Sequence, residues 1–228
     1  MNNSLVKSEV KAKPKLWHCY NSRSLRALWT LEELGVDYDI ETMAFPPRYT
    51  VEKYKELNNL GTVPFFVDGE QGEIQMTESV AICHYLVEKY QSKNNIKLSA
   101  LDSEYGNYLN WLYHSDATLT FPQTLVLRYR AFAAKDCSQG KTADDYEAWF
   151  TARLERLSEH LLHHDYLCED RFTIADIAIG FSLHLATLLQ LEKNFSPQIS
   201  AYLTRLKSRP AFQRAQAIGK ELDPFARK

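Results

Sequence analysis

Cysteine is scarce in this 228-residue chain: four residues, at positions 19, 83, 137 and 168, with no Cys-x-x-Cys pair among them. That spacing encodes neither a zinc ribbon nor a dithiol redox motif. So few cysteines in a chain this long do not make a disulfide scaffold, and a reduced, cytoplasmic compartment is the simplest reading. Glycine and proline are sparse too, eight of each, which excludes collagen-like and low-complexity chains. No apolar run reaches the ~20 residues that a membrane helix needs. The opening MNNSLVKSEVKAKPK has no apolar segment of the kind a secretory leader carries and reads as a short polar tail. The 27 basic and 29 acidic residues, net charge −2, form no basic block or stripe. Nucleic acid and membrane are therefore not expected partners.

What is present, 45% hydrophobic and 25% charged residues, suits a globular protein of one large or two small domains. Lys15–Tyr20 is rich in aromatic side chains and predicts a first strand. After the polar turn Asn21–Ser24, the spacing of Ala27, Leu28, Leu31 and Leu34 predicts a helix over 24–34, with Gly35 placed to cap it. Val36–Met43 alternates apolar and polar residues, as a half-buried strand does. Phe45-Pro46-Pro47-Arg48 breaks the pattern, and a charged, weakly helical stretch runs to Asn59. Gly61–Val67 predicts a strand with Pro64 near its start, Asp68–Gly72 a hairpin loop, and Glu73–Met76 the return strand. Thr77-Glu78-Ser79 opens a helix as an N-cap candidate with an acid in the first turn.

Gln91–Asn95 is a polar break that reads as a linker, and beyond it helical patterns fill 102–130, 143–163, 174–190 and 197–206. Residues 14–91 carry 7 basic and 12 acidic side chains, net −5, whereas 102–228 carry 15 and 16, net −1. The expected architecture is α/β followed by all-α. A thioredoxin-like βαβ-ββα unit with a mixed four-stranded sheet spans 14–91, and an all-helical unit spans 101–222. Thr173-Ile174-Ala175-Asp176 is a capping box with a structural role. His160 and His164 are spaced to chelate on a helix, but no glutamate completes the HExxH pattern, so they read as surface residues.

Three stretches carry a family resemblance over roughly 15–215: KLWHCYNSRSLRALWTLEELG, NNLGTVPFFVDGEQGEIQMTESVAICHYLVEKY and RFTIADIAIG. In this order they resemble the cytosolic glutathione S-transferases, of bacterial type and of the theta-like serine class or a related one; the class stays open. The resemblance implies a homodimer that conjugates reduced glutathione to small hydrophobic electrophiles, with glutathione as co-substrate and no metal or other cofactor. It implies that the residue matching Pro64 is cis and that Val63 offers its backbone N–H and C=O to the cysteinyl part of glutathione. Glu78 and Ser79 would hold the γ-glutamyl end, where a helix N-terminus suits a carboxylate. Arg48, Tyr49 and Lys53 lie where relatives contact the glycyl carboxylate. Thr62 stands where relatives commonly have Lys.

For the chemistry, the resemblance points to Ser22 as donor of a hydrogen bond to the glutathione sulfur, which lowers a thiol pKa ordinarily near 8.5. Asn21 is the alternative donor, Tyr20 a third, and Arg23 would add positive potential. Cys19 is close enough to raise the question of a mixed disulfide, but as a strand cysteine it reads as buried and inert. The electrophile pocket is expected to draw on Tyr108, Trp111 and Ser115, on a helix that Pro122 is expected to break. Without the resemblance the same residues have plainer readings: Ser22 or Ser24 as a helix cap, Thr77–Ser79 as another, and Tyr108 and Trp111 as core. Two rivals remain. One is a glutathione-dependent disulfide reductase or peroxidase on the same fold. The other is a non-catalytic interaction protein.

Overall fold

The computed structural model describes residues 13–90, 93–132 and 137–223, the side chains of 137–139 excepted. The polar N-terminal tail and Gln91 and Ser92 of the expected linker lie outside the described residues. Strand β1 (Lys15–Cys19) leads into helix α1 (Ser24–Leu34) and strand β2 (Asp39–Met43), which pairs parallel to β1 with Leu16 opposite Ile40. Two short helices, α2 (Pro47–Thr50) and α3 (Tyr54–Leu57), precede strands β3 (Phe65–Asp68) and β4 (Ile74–Met76) and helix α4 (Ser79–Lys89). β3 runs antiparallel to both β1 and β4, giving the sheet order β2-β1-β3-β4. This is the expected mixed four-stranded sheet.

Local chemistry sets the ends of these elements. Gly35 has φ +65°, and its N–H returns to the Leu31 carbonyl to close α1. Val36 N–H bonds the same carbonyl, so β2 starts three residues later than the alternation predicts. β3 starts at Phe65 rather than Gly61 because Pro64 has no N–H for the ladder and Gly61 is left-handed, φ +62°. No side chain caps α4: Glu78 holds the cap position in extended conformation, which corrects the capping expected of Thr77-Glu78-Ser79.

Beyond Lys89 the chain is helical: α5 (Tyr105–His114), α6 (Phe121–Leu127), α7 (Cys137–His160), α8 (Ile174–Leu188), α9 (Pro197–Lys207) and α10 (Pro210–Ala217). Pro122 does not interrupt the helical path. A π-helical segment, Ser115–Thr120, widens the turn ahead of it, and Pro122 sits in the first turn of α6, where its missing N–H costs nothing. One apolar core spans sheet and helices, so α1 is enclosed from several sides. The Trp29 ring lies 4.9 Å from that of Phe212 and 5.8 Å from that of Phe172. At Gly180 of α8 a Cβ would come 2.7 Å from Leu206 and 3.3 Å from Trp29. No described helix is long and apolar enough to cross a membrane.

Candidate functional site

The C-terminal end of β1 and its turn face α6 and α8 across a cleft. Two adjoining cavities occupy it, of about 650 and 110 Å³, sharing Arg23, Phe45, Val63, Thr124 and Leu127. Asn21, Ser22, Phe181 and Leu185 line the smaller one. Arg48, Tyr49, Thr62, Arg128 and Phe132 line the larger, whose charged lining is therefore arginine alone. The Val63-Pro64 bond is cis, and among the described residues the Val63 backbone makes no hydrogen bond. Its N–H and C=O are thus free to pair with an extended peptide.

Two hydrogen-bond systems flank the β1 turn. On one side, Asn21, left-handed at φ +56°, is buried. Its Oδ1 accepts from His184 Nε2 at 2.9 Å and Gln216 Nε2 at 3.3 Å, and its Nδ2 donates to Asp223 at 3.2 Å. Tyr20 OH donates to Gln216 Oε1 at 3.0 Å, so it too is committed to α10. On the other side, Ser22 Oγ lies 2.7 Å from Ser24 Oγ, which lies 2.8 Å from His18 Nδ1. Burial pulls the two histidines down, His18 to about 4 and His184, with help from the Lys207 charge, to about 3.

Beneath the cleft lies Arg26, fully buried on α1. Its guanidinium donates to Ser79 Oγ (3.1 Å), Asp116 Oδ1 (3.0 Å), Thr120 Oγ1 (2.9 Å), Ser182 Oγ (3.0 Å) and the carbonyl of Ala178 (3.2 Å). Arg23 reaches the same carboxylate at 3.4 Å and donates to Thr124 at 2.8 Å. Burial raises the Asp116 carboxyl, but the two guanidinium charges and their hydrogen bonds outweigh it and hold the group below its usual range.

The structure brings together Asn21, Ser22, Arg23, Tyr49 and Val63, with Pro64 behind Val63. Ser79 is reached through Arg26. Glu78 is exposed and opens onto a separate hollow of about 570 Å³ between α4 and α5. That hollow holds none of the residues of the β1 turn. Lys53 is an exposed, left-handed residue ahead of α3 and lines neither cavity of the cleft. Tyr108, Trp111 and Ser115 do not face the cleft; all three are buried. Tyr108 packs beside Tyr105 and His84, Trp111 against His114 and His160, and Ser115 donates to the Leu112 carbonyl at 2.6 Å. The π-helical turn after Ser115 hands the cleft wall to α6 instead. Thr124, Leu127, Arg128, Phe132, Phe181 and Leu185 are thus wall residues that sequence reasoning missed. So was Phe45, although the break at Phe45-Pro46-Pro47 marked it. Cys19 is buried and its thiol is pushed up to about 12 by burial, which leaves it inert. His160 and His164 stack at 4.6 Å, bonded to the Tyr166 carbonyl and to Asp170.

Two family models match. The one described as glutathione S-transferase, N-terminal domain, covers residues 12–88, and the one described as glutathione S-transferase, C-terminal domain, covers 130–210. Glutathione S-transferase 3 of Schizosaccharomyces pombe is 27% identical over 212 residues, 86% of this chain and 84% of its own length. Glutathione S-transferase F9 of Arabidopsis thaliana is 29% identical over 203 residues, 84% of this chain and 91% of its own. Among solved structures, the fold matches the glutathione transferase URE2P8 of Phanerochaete chrysosporium with oxidized glutathione. That match has a TM-score of 0.80 and 19% identity over 94% of this chain and 98% of the other. A glutathione transferase from Pseudomonas putida with glutathione disulfide bound matches at a TM-score of 0.77 and 22% identity, covering 90% and 91%.

Proposed function

The chain belongs to the glutathione S-transferase family, and from that membership we propose that it binds reduced glutathione in the cleft and transfers it to small hydrophobic electrophiles. The observation that carries this reading is that Ser22 and Val63, a hydroxyl donor and a free backbone edge, line one cavity. Glutathione lies extended, its cysteinyl amide paired with Val63 and its glycyl carboxylate toward Arg48 and Tyr49. Its γ-glutamyl end runs out of the cleft to the uncapped N-terminus of α4, where Glu78, which lines the neighbouring hollow, takes the ammonium group. Ser22 Oγ–H donates to the sulfur and stabilises the thiolate as the thiol proton leaves to solvent. The sulfur then attacks the electrophilic carbon; a C–S bond forms and the leaving group departs with its electron pair. Catalysis rests on thiolate stabilisation and on holding two reactants together. A homodimer and a detoxifying role in the cytoplasm complete the reading.

Asn21 keeps one amide hydrogen beyond its bond to Asp223, so it is the second choice of sulfur donor. A cysteine-based reductase finds no support in Cys19. The test is calorimetry of glutathione binding at pH 7, with conjugation of 1-chloro-2,4-dinitrobenzene by wild type, Ser22→Ala and Asn21→Ala. Binding in all three with conjugation lost only in Ser22→Ala supports the reading. Loss only in Asn21→Ala moves the donor to Asn21. No binding by wild type at millimolar glutathione removes the enzyme reading and leaves an interaction protein.

A further inference from the structure

We infer that His18 is a positioning residue: acting through Ser24, it leaves the Ser22 hydroxyl hydrogen no partner but the cleft. The inference rests on the reading of Ser22 as thiolate donor and adds what makes that hydroxyl a donor only. His18 and Ser24 are both fully buried. A neutral imidazole carries one hydrogen, on Nδ1 or Nε2. Nε2 has no partner among the described residues, while Nδ1 lies 2.8 Å from Ser24 Oγ. A buried N–H without an acceptor is rarer and costlier than a buried lone pair without a donor. The hydrogen therefore sits on Nδ1 and is donated to Ser24 Oγ.

The remaining hydrogens follow by counting. Ser24 Oγ also accepts from the Cys19 N–H at 3.3 Å, so both its lone pairs are used. Its own hydrogen has two acceptors in reach: the Cys19 carbonyl at 3.3 Å and Ser22 Oγ at 2.7 Å. The shorter bond wins. Ser22 Oγ then accepts from Ser24 O–H and, at 3.3 Å, from the Ser24 N–H. With both lone pairs filled, Ser22 can only donate, into the cavity it shares with Val63. A hydroxyl that cannot accept stabilises a thiolate and offers nothing to a thiol, so it lowers the thiol pKa. With the tautomer reversed, Ser24 would donate to His18 and stand open as an acceptor, and the Ser22 hydrogen would be divided between Ser24 and the cleft. Burial keeps the ring neutral at physiological pH. Arg23, which also lines the cavity, acts alike on every variant below.

The experiment titrates the thiolate absorbance of bound glutathione near 240 nm in full-length variants, with affinity measured in parallel. His18→Asn and His18→Leu share one branched heavy-atom skeleton, but only Asn can place an N–H where Nδ1–H stands. Ser24→Thr and Ser24→Ala form a second pair, should the histidine variants fail to fold. We expect Ser22→Ala, Ser24→Ala and His18→Leu each to raise the bound thiol pKa by about one unit, a tenfold loss of thiolate below the pKa. Ser24→Thr and His18→Asn should stay near wild type, while in the three raised variants affinity for glutathione should hold at low pH, where the thiol binds, and fall about tenfold at high pH, where the thiolate binds. Equal thiol pKa values within each pair, with Ser22→Ala still raised, would overturn the relay and spare the Ser22 reading. An unmoved pKa in Ser22→Ala would bring down that reading, and the relay with it.

Discussion

Arg26 Nη1 donates to Asp116 Oδ1 at 3.0 Å, joining a fully buried guanidinium on α1 to a carboxylate in the π-helical turn between α5 and α6. The same guanidinium holds Ser79 at the start of α4 and Ala178 and Ser182 on α8. The sheet-bearing part and the helical part therefore meet on one buried cation, directly below the cleft. Breaking a buried pair by removing one partner costs about 3–5 kcal/mol. Arg26→Lys keeps the charge but not the planar fork, and strands several of these acceptors. We expect it to lose about 3 kcal/mol in urea unfolding; a loss below about 1 kcal/mol would show that water replaces the missing bonds. Since Asp116 is held below its usual pKa in the folded state, its contribution is present above pH 4 and lost as the pH falls through that depressed value.

Acid should weaken the fold earlier, chiefly through His18 and His184, with a smaller part from His114, which burial and the Arg156 and Arg153 charges also hold down. Well above pH 6.5 neither state protonates them. Between pH 6.5 and 5 the unfolded chain takes up protons, whereas folded His18 and His184 stay neutral because their pKa values are depressed to about 4 and about 3. Stability therefore falls as the pH falls, by about 2 kcal/mol per histidine over that window. His184→Gln keeps a donor for Asn21 but cannot titrate. Urea midpoints at pH 6.5 and 5 should show a clearly reduced slope in this variant, somewhat more than half of the wild-type one because His18 and His114 still titrate. An unchanged slope would mean that the loss comes from other groups.

Glu78 and Ser79 are adjacent, yet their substitutions should separate binding from stability. Glu78 is exposed, so Glu78→Gln should leave the melting temperature nearly unchanged. If Glu78 takes the glutathione ammonium, affinity should fall about tenfold, equivalent to about 1.4 kcal/mol. Ser79 is buried and accepts from Arg26, so Ser79→Ala should also cost about 1–3 kcal/mol of stability. Calorimetry with thermal melts distinguishes the two. Equal melts for both variants would show that the bond to Arg26 contributes little.

Most of the sheet and α1 could be read from the sequence because period-2 and period-3.6 patterns alternate there, with Gly35 and the turn residues marking the ends. The β1 turn and Val63-Pro64 were legible as a site through the family resemblance. Arg26 was not. Its acceptors at 79, 116, 120, 178 and 182 come from separate segments, and no local pattern announces a buried cation. The cleft wall was misplaced by one element for a related reason. Periodicity places residues on a helix face only while the turn stays constant, and the π segment at Ser115–Thr120 changes it. Tyr108 and Trp111 are then core, and Thr124 and Leu127 reach the cleft. α10 lies beyond the last helical pattern, 197–206, and opens on Pro210, which suits a first helical turn.

Asp176 offers the clearest case of a residue that matters to folding and not to chemistry. Its carboxylate accepts from the N–H groups of Thr173 (2.8 Å) and Leu167 (3.1 Å) and from Tyr202 OH (2.7 Å), while the Thr173 hydroxyl accepts from the Ala175 N–H. The capping box thus also anchors the loop before α8 and the face of α9, and neither Thr173 nor Asp176 lines the cleft. Asp176→Ala leaves two buried N–H groups, a buried phenol and the Thr173 hydroxyl without this acceptor, at about 1–3 kcal/mol for each stranded donor. The loss should exceed about 3 kcal/mol, because the groups are fully enclosed and no water takes the place of the carboxylate. Tyr202→Phe removes one donor together with its need for a partner, so it should cost only about 1 kcal/mol. Below its melting temperature, folded Asp176→Ala should bind glutathione as wild type does. A weakened affinity in a variant shown to be folded would mean that α8 transmits its capping to the cleft, through the Ala178 and Ser182 contacts of Arg26.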